Sequence, residues 1–322
     1  MMKDLRAQEQ DLIFALDIGT RSVVGVVGRP SGGRFKALDI EMAEHGSRAM
    51  LDGQIDNIHQ VGALARTVTD RLEERLGVRL ERVCVAAAGR ALRTQSGSFT
   101  MDISAEKTIS AETISRLEAG ALSAAEEALQ MEDEVRRQFF MVGYTVAQYR
   151  LDNYPLASLL DHNGQKAEAD VVATFLPGEV VESLYAAMRT AGLQVSSLTL
   201  EPIAAMNAAI PVELRLLNLA LVDIGAGTTD IAVCRDGSVT GYTMATIAGD
   251  EITEAIMRTF LVDFQTAEEM KRNLRPGEDV CYTDILGLEN TAAFEELYAA
   301  IQEPMGRLAE AIAVQVTELN GG

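Results

Sequence analysis

Leu219-Ala220-Leu221-Val222-Asp223-Ile224-Gly225-Ala226-Gly227-Thr228-Thr229-Asp230-Ile231-Ala232-Val233-Cys234 is the stretch that decides the fold. An apolar run closes on Asp223, a turn of small residues follows, and Asp230 opens a second β-rich run. Strand, glycine turn and strand predict a hairpin whose tip is almost all backbone. Glycine lets consecutive N–H groups converge, and such a concavity binds anions, phosphate above all. A carboxylate at the strand end can hold hydrated Mg²⁺, which takes a few carboxylates together with phosphate oxygens.

The motif occurs twice. Phe14-Ala15-Leu16-Asp17-Ile18-Gly19-Thr20-Arg21-Ser22 runs into Val23-Val24-Gly25-Val26-Val27, repeating the strand, the Asp, the Ile and the Gly. One such hairpin is a common turn. Two of them, one in each half of the chain, predict similar half-domains facing each other across a nucleotide, each offering one phosphate-binding turn.

Composition sets the outer bounds. At 322 residues the chain can build two sizeable cores. Its net charge of −20 argues against duplex nucleic acid as a partner, because phosphate contacts need clustered Lys and Arg. Cys84, Cys234 and Cys281 form no CxxC pair, and His45, His59 and His162 are dispersed, which argues against a zinc site and for a reducing cytosol. The start, MMKDLRAQEQDL, has no apolar segment of a secretion signal, and no apolar run approaches the roughly 20 residues of a membrane span.

Taken in order, residues 1–10 are polar and expected to fray. Leu12 to Gly28 reads as the first hairpin and Arg34 to Met42 as a third strand, with Phe35, Ala37, Leu38 and Ile40 as its apolar residues. Gly46 to Asp56 reads as a loop. Ile58 to Leu76 is strongly periodic, with Val61, Leu64, Ala65, Val68, Leu72 and Leu76 on one side, and Gly77 ends it. Leu80 to Ala88 reads as a buried strand and Gly89 as a turn. Thr94 to Ile103, Phe139 to Leu151 and Ala169 to Leu176 read as strands around a helix from Ser110 to Leu129, together a small α+β module. A helix over Glu179–Ala191, a strand over Gln194–Thr199 and a helix over Ile203–Ala209 lead to the second hairpin. Ser238 to Ala245 is its third strand. Glu251–Leu261 and Phe264–Asn273 follow as helices, then a loop and short strand over Gly277–Leu286, and a long helix over Thr291–Leu319 interrupted at Pro304.

The pair DIGT and DIGAGTTD resembles the two phosphate motifs of the actin, DnaK-chaperone and sugar-kinase superfamily of ATPases. Leu200-Glu201-Pro202-Ile203-Ala204-Ala205 is similar to its first connecting segment, Ile247-Ala248-Gly249-Asp250 to the turn after the second phosphate motif, and Ala267-Glu268-Glu269-Met270-Lys271-Arg272 to the helix that packs on the adenosine. The resemblance implies an α/β actin-like ATPase fold of two ribonuclease-H-like half-domains with an inserted small α+β module. The expected division is residues 11–82 and 175–209 for the first half-domain, 83–174 for the insert, 210–250 for the second half-domain core, 251–284 for an adenosine-side subdomain and 285–322 for a helical end. Such proteins carry a further strand and a glycine-rich adenosine loop after the last helix. Here the sequence reads Asn320-Gly321-Gly322, so a truncated second half is expected.

By that resemblance ATP and Mg²⁺ sit between the half-domains. Backbone around Gly19, Thr20 and Arg21 and around Gly225, Gly227 and Thr228 cradles the β- and γ-phosphates, with the hydroxyls of Thr20, Thr228 and Thr229 adding bonds. Asp17 and Asp223 hold the metal through water, and Glu201 positions the attacking water. Gly249 and Asp250 approach the ribose, and Glu268 and Lys271 flank the base. Residue patterns alone leave Arg21 as either a phosphate ligand or an exposed turn residue, and Glu268 with Lys271 as either base contacts or a surface i,i+3 pair.

The position of the insert resembles the bacterial cell-division protein family FtsA. That implies a weak Mg²⁺-dependent ATPase acting as a nucleotide switch, self-assembly into filaments or oligomers through the insert, and attachment of the cytoskeletal ring protein FtsZ to the membrane. The expected location is the cytoplasm or the inner face of the cell membrane. The membrane contact would lie in a region not in this chain, because no basic amphipathic stretch is visible. A PilM-like pilus-assembly protein shares the insert; a sugar kinase would need a general base beside a substrate pocket, and a DnaK-like chaperone a following substrate domain.

Overall fold

The computed structural model describes residues 12–46, 49–51, 53–88, 92–105, 108–132, 138–235 and 238–321. Residues 1–10 and Gly89, read above as a frayed end and a turn, lie outside them. Strands β1 (Ile13–Ile18), β2 (Ser22–Ser31) and β3 (Arg34–Glu44) form an antiparallel meander. The apolar residues of β3 are its exposed side: Phe35 and Ile40 are 50% and 58% accessible. The side turned to the following helix carries Asp39 and Glu41, which bind the guanidiniums of Arg71 and Arg75. Within the expected loop lies a two-stranded hairpin, β4 (Met50–Leu51) and β5 (Gln54–Ile55).

Helix α1 (Ile58–Leu76) has the predicted bounds because both ends are chemically marked. The Asn57 side chain accepts from the Gln60 N–H, and Gly77 adopts the left-handed conformation with φ 66°. Val61, Ala65, Val68 and Leu72 are buried. Strand β6 (Arg82–Ala87) then runs parallel to β1.

The next elements form a separate sheet. Strands β7 (Arg93–Asp102), β8 (Phe139–Leu151), β9 (Tyr154–Leu156) and β10 (Lys166–Pro177) are ordered β7-β10-β8-β9, all antiparallel neighbours. Helix α2 (Ala111–Glu132) lies on this sheet at Gly97, where a Cβ would stand 2.0 Å from the Ala121 carbonyl oxygen. The insert therefore starts later than residue 83: β6 is hydrogen-bonded into the first sheet and belongs there. Strand β10 ends in the first core, where Leu176 is buried among Leu16, Val85 and Leu184.

Helix α3 (Gly178–Thr190) packs beside α1, and strand β11 (Gln194–Leu200) completes the first sheet in the order β11-β6-β1-β2-β3. Helix α4 (Glu201–Ala209) starts two residues before the expected Ile203, because Pro202 in the first turn suits a helix N-terminus. After a 3-10 turn (Val212–Leu216), strands β12 (Leu219–Ile224), β13 (Thr229–Arg235) and β14 (Ser238–Ala245) make a second sheet in sequence order. Helices α5 (Gly249–Phe260) and α6 (Phe264–Asn273) and the hairpin β15 (Val280–Thr283) and β16 (Glu289–Ala292) enclose a small core of Ile256, Val262, Met270 and Val280. Helix α7 (Phe294–Leu319) is continuous through Pro304, and the expected interruption does not occur. Leu297, Ile301 and Leu308 are buried on either side of that proline and hold the helix together.

Candidate functional site

Each half of the chain presents the same turn in the same place. The Gly19 N–H donates to the Ser22 carbonyl at 3.0 Å, and the Gly225 N–H donates to the Thr228 carbonyl at 2.9 Å. Asp17 and Asp223 occupy equivalent positions one residue before the end of β1 and β12. The two turns meet. A Cβ on Gly227 would lie 2.8 Å from Thr20 Cγ2 and 2.9 Å from Thr20 Oγ1, so only glycine fits the contact as it stands. The start of α5 closes one side, with Gly249 N–H donating to Gly225 O at 3.1 Å and Asp250 N–H to Ala226 O at 2.8 Å.

Four carboxylates act on one another here. Partial loss of water within the cleft, followed by the Asp223 charge, raises the Asp17 carboxyl above its ordinary value. Burial pushes Glu201 well up, and Asp230, Asp17 and Asp223 add to that in turn. Its Oε1 is sealed from solvent and has no hydrogen-bond partner among the described residues, while Asp230 is 4% exposed in a strand otherwise apolar from Ile231 to Cys234. The neighbouring negative charges disfavour the ionised forms of Asp17 and Glu201, and a cation beside them would relieve that. Among the described residues no three His, Cys, Asp or Glu side chains are grouped as a metal cage. A cation here would complete its shell with water and phosphate oxygens, which is the habit of Mg²⁺.

Across the turns a second polar group is assembled. Arg21 reaches from the β1–β2 turn to Asp250 and Glu268, and its guanidinium lies over the Phe264 ring, 5.3 Å from the centroid. Glu268 is also bound by Lys271 at 2.6 Å, Thr253 Oγ1 at 2.7 Å and Arg272 Nε at 3.0 Å. Burial alone would raise this carboxyl, but the Lys271 and Thr253 bonds and the Lys271 and Arg21 charges outweigh it and leave it at about 2. Lys271 Nζ further donates to Gly249 O at 3.1 Å.

The structure thus brings Asp17, Gly19, Thr20, Arg21, Glu201, Asp223, Gly225, Gly227, Gly249, Asp250, Glu268 and Lys271 together where the two turns meet. Three expectations change. Thr229 is fully buried and donates its hydroxyl to Ile247 O at 2.8 Å, so that proton holds the fold and is not turned to a phosphate. The Gly19 and Gly225 N–H groups close their own turns and so are spent within the fold, where the sequence had suggested phosphate donors. Glu268 and Lys271 are no surface pair, since Glu268 is 8% exposed. Thr228 is buried too, with its methyl against Gly53. Two residues were missed: Asp230, whose signal was a charge opening an apolar strand, and Phe264, which gave none.

The family model for cell division protein FtsA matches residues 220–291, the span from the second turn through β15 and β16. FtsA of Pseudomonas aeruginosa is 28% identical over 267 residues, covering 82% of this chain and 61% of the relative; FtsA of Bacillus subtilis is 24% identical, covering 97% and 72%. The chain therefore spans less than two thirds of the length of the Pseudomonas relative. Among solved structures, the PilM–PilN type IV pilus biogenesis complex superposes with a TM-score of 0.63 at 20% identity over 93% of this chain and 75% of the other. The ethanolamine utilization protein EutJ from Carboxydothermus hydrogenoformans superposes with 0.53 at 15% identity, over 95% and 72%. By its fold, its paired turns and these matches, the chain has an actin-like fold and is similar to cell division protein FtsA.

Proposed function

We propose that the chain binds a magnesium–ATP complex between its two turns and works as an FtsA-type, nucleotide-dependent scaffold in bacterial cell division. The observation that carries the reading is the convergence of two similarly closed turns, with the carboxylates of Asp17, Asp223 and Asp230 close enough to act on Glu201 together. In it, the tips at Thr20–Arg21 and Ala226–Gly227 bind phosphate oxygens, and Asp17 and Asp223 hold the hydrated cation. The cation supplies charge neutralisation on the phosphoryl group. Glu201, with one oxygen unpartnered, orients a water toward the same place. Asp250 and Glu268 face the sugar, and Lys271 keeps Glu268 ionised.

Phosphoryl transfer rests on positioning and electrostatics, so hydrolysis by an unassembled chain is expected to be slow. That suits a switch that reports its nucleotide state to an assembly, with further copies of the chain and an FtsZ-like ring protein as partners. Among the described residues no helix is long and apolar enough to cross a membrane. Calorimetry with ATP and Mg²⁺ tests the site: the Asp223→Ala variant loses Mg²⁺-dependent affinity, and unchanged affinity refutes the metal role. Light scattering with and without ATP tests assembly.

A further inference from the structure

Arg21 belongs to the first phosphate turn, yet its side chain is committed to the opposite wall. Its guanidinium binds Asp250 and Glu268, the two carboxylates that the nucleotide reading assigns to the sugar, and is capped by Phe264, with only 20% of the side chain accessible. Its backbone sits next to Thr20, which touches Gly227. Both sugar-side carboxylates are therefore occupied by a cation whose own base lies at the phosphate seat.

Building on the nucleotide reading above, we propose that Arg21 couples phosphate binding to sugar binding by exchanging partners. A polyphosphate offers the guanidinium more negative charge and the paired oxygens that suit its planar donors. Arg21 turns to it and releases Asp250 and Glu268. Glu268 stays ionised, because Lys271 holds its Oε2 and Arg272 its Oε1, and the acceptor place that Arg21 vacates on Oε1, still shared with Arg272, can accept from a sugar hydroxyl. A nucleoside without phosphates has nothing to offer Arg21 and meets carboxylates already bound. Arg21 thus selects for the phosphate chain and, in its absence, keeps the two walls tied.

Two variants read this out independently: Arg21→Gln, and Asp250→Asn combined with Glu268→Gln. Hydrogen exchange on the ligand-free protein should rise about fivefold over residues 17–22 and 249–268 in both, as expected for loss of partly buried ion pairs. Inorganic tripolyphosphate added to the wild type should produce the same rise over 249–268. Calorimetry should show ATP affinity falling about tenfold in Arg21→Gln while adenosine affinity holds or improves, so that their ratio narrows. Exchange unchanged in both variants, or an unaltered ATP-to-adenosine ratio, overturns the proposal. Wild type that responds to tripolyphosphate but binds no ATP keeps the exchange of partners and refutes the nucleotide reading; no response to either overturns the exchange.

Discussion

Alanine at position 227 would place a methyl carbon 2.8 Å from Thr20 Cγ2, 2.9 Å from Oγ1 and 3.2 Å from Cβ. Comfortable carbon contacts are about 3.5–4.0 Å, so the overlap exceeds half an ångström against a β-branched side chain that has few rotamers to retreat into. Overpacking of this kind costs about 1–3 kcal/mol; for a contact between turns the lower half of that range, about 1–2 kcal/mol, is expected. Gly227 is not at positive φ, so the backbone by itself would make alanine neutral or stabilising by about 0.4–1 kcal/mol. The sign of the measured change therefore decides whether the turns touch. Urea unfolding of Gly227→Ala, Thr20→Ala and the double variant gives the answer, because trimming Thr20 should recover about 1 kcal/mol as coupling. The same variant should bind ATP at least about tenfold more weakly, since the two tips can no longer close on one phosphate chain. A Gly227→Ala protein as stable as the wild type, with no coupling to Thr20, refutes the convergence of the turns.

Glu201→Gln removes a carboxyl whose proton the folded chain holds more tightly than the unfolded one. Such a group lowers stability as pH rises from its ordinary 4.5 toward its raised value, so the variant should gain about 1 kcal/mol near neutrality and nothing in acid; equal pH slopes for the two proteins would rule this out. Glu268 has the opposite sign: held at about 2, it contributes stability above its ordinary 4.5 that is lost as pH falls toward 2. Thermal unfolding of Glu268→Gln should show a flatter acid limb than the wild type, and an unaltered limb would count against these bonds. In α1, a Cβ on Gly62 would lie 2.8 Å from Ala187 O and 2.7 Å from Thr190 Cβ. Gly62→Ala should therefore destabilise by about 1–2 kcal/mol in urea, although alanine favours a helix by about 1 kcal/mol; a stabilised variant would mean that α1 and α3 are not in close contact.

What was legible in the sequence was what neighbouring residues decide. Asn57 and Gly77 mark α1 at both ends, and the repeated Asp-Ile-Gly announces the turns before any tertiary contact is known. Less was legible where one element answers another. The alternation of β3 could not tell which side is covered, because Asp39 and Glu41 turn inward only to meet Arg71 and Arg75 of α1. The Thr229 hydroxyl lies in a phosphate-like motif, yet its proton goes to Ile247 O in the loop before α5. Arg21 was visible as a charge beside a turn, while its partners Asp250 and Glu268 lie far along the chain. The short pair β4–β5 and strand β16 carry too few alternating residues to announce themselves, whereas β15 lies within the short strand expected over Gly277–Leu286.

Strand β10 is a single unbroken rod, buried beside Ile103 and Leu117 through Ala167 and Ala169 at one end and beside Leu16 through Leu176 at the other. The insert also leans on the second sheet, where Tyr242 OH meets Thr145 Oγ1 at 3.4 Å and Thr94 Oγ1 donates to Tyr242 O at 3.4 Å. The insert is thus joined to the first half-domain through the core of β10 and to the second through the polar contacts of Tyr242, so a load on the insert bears on both halves at once.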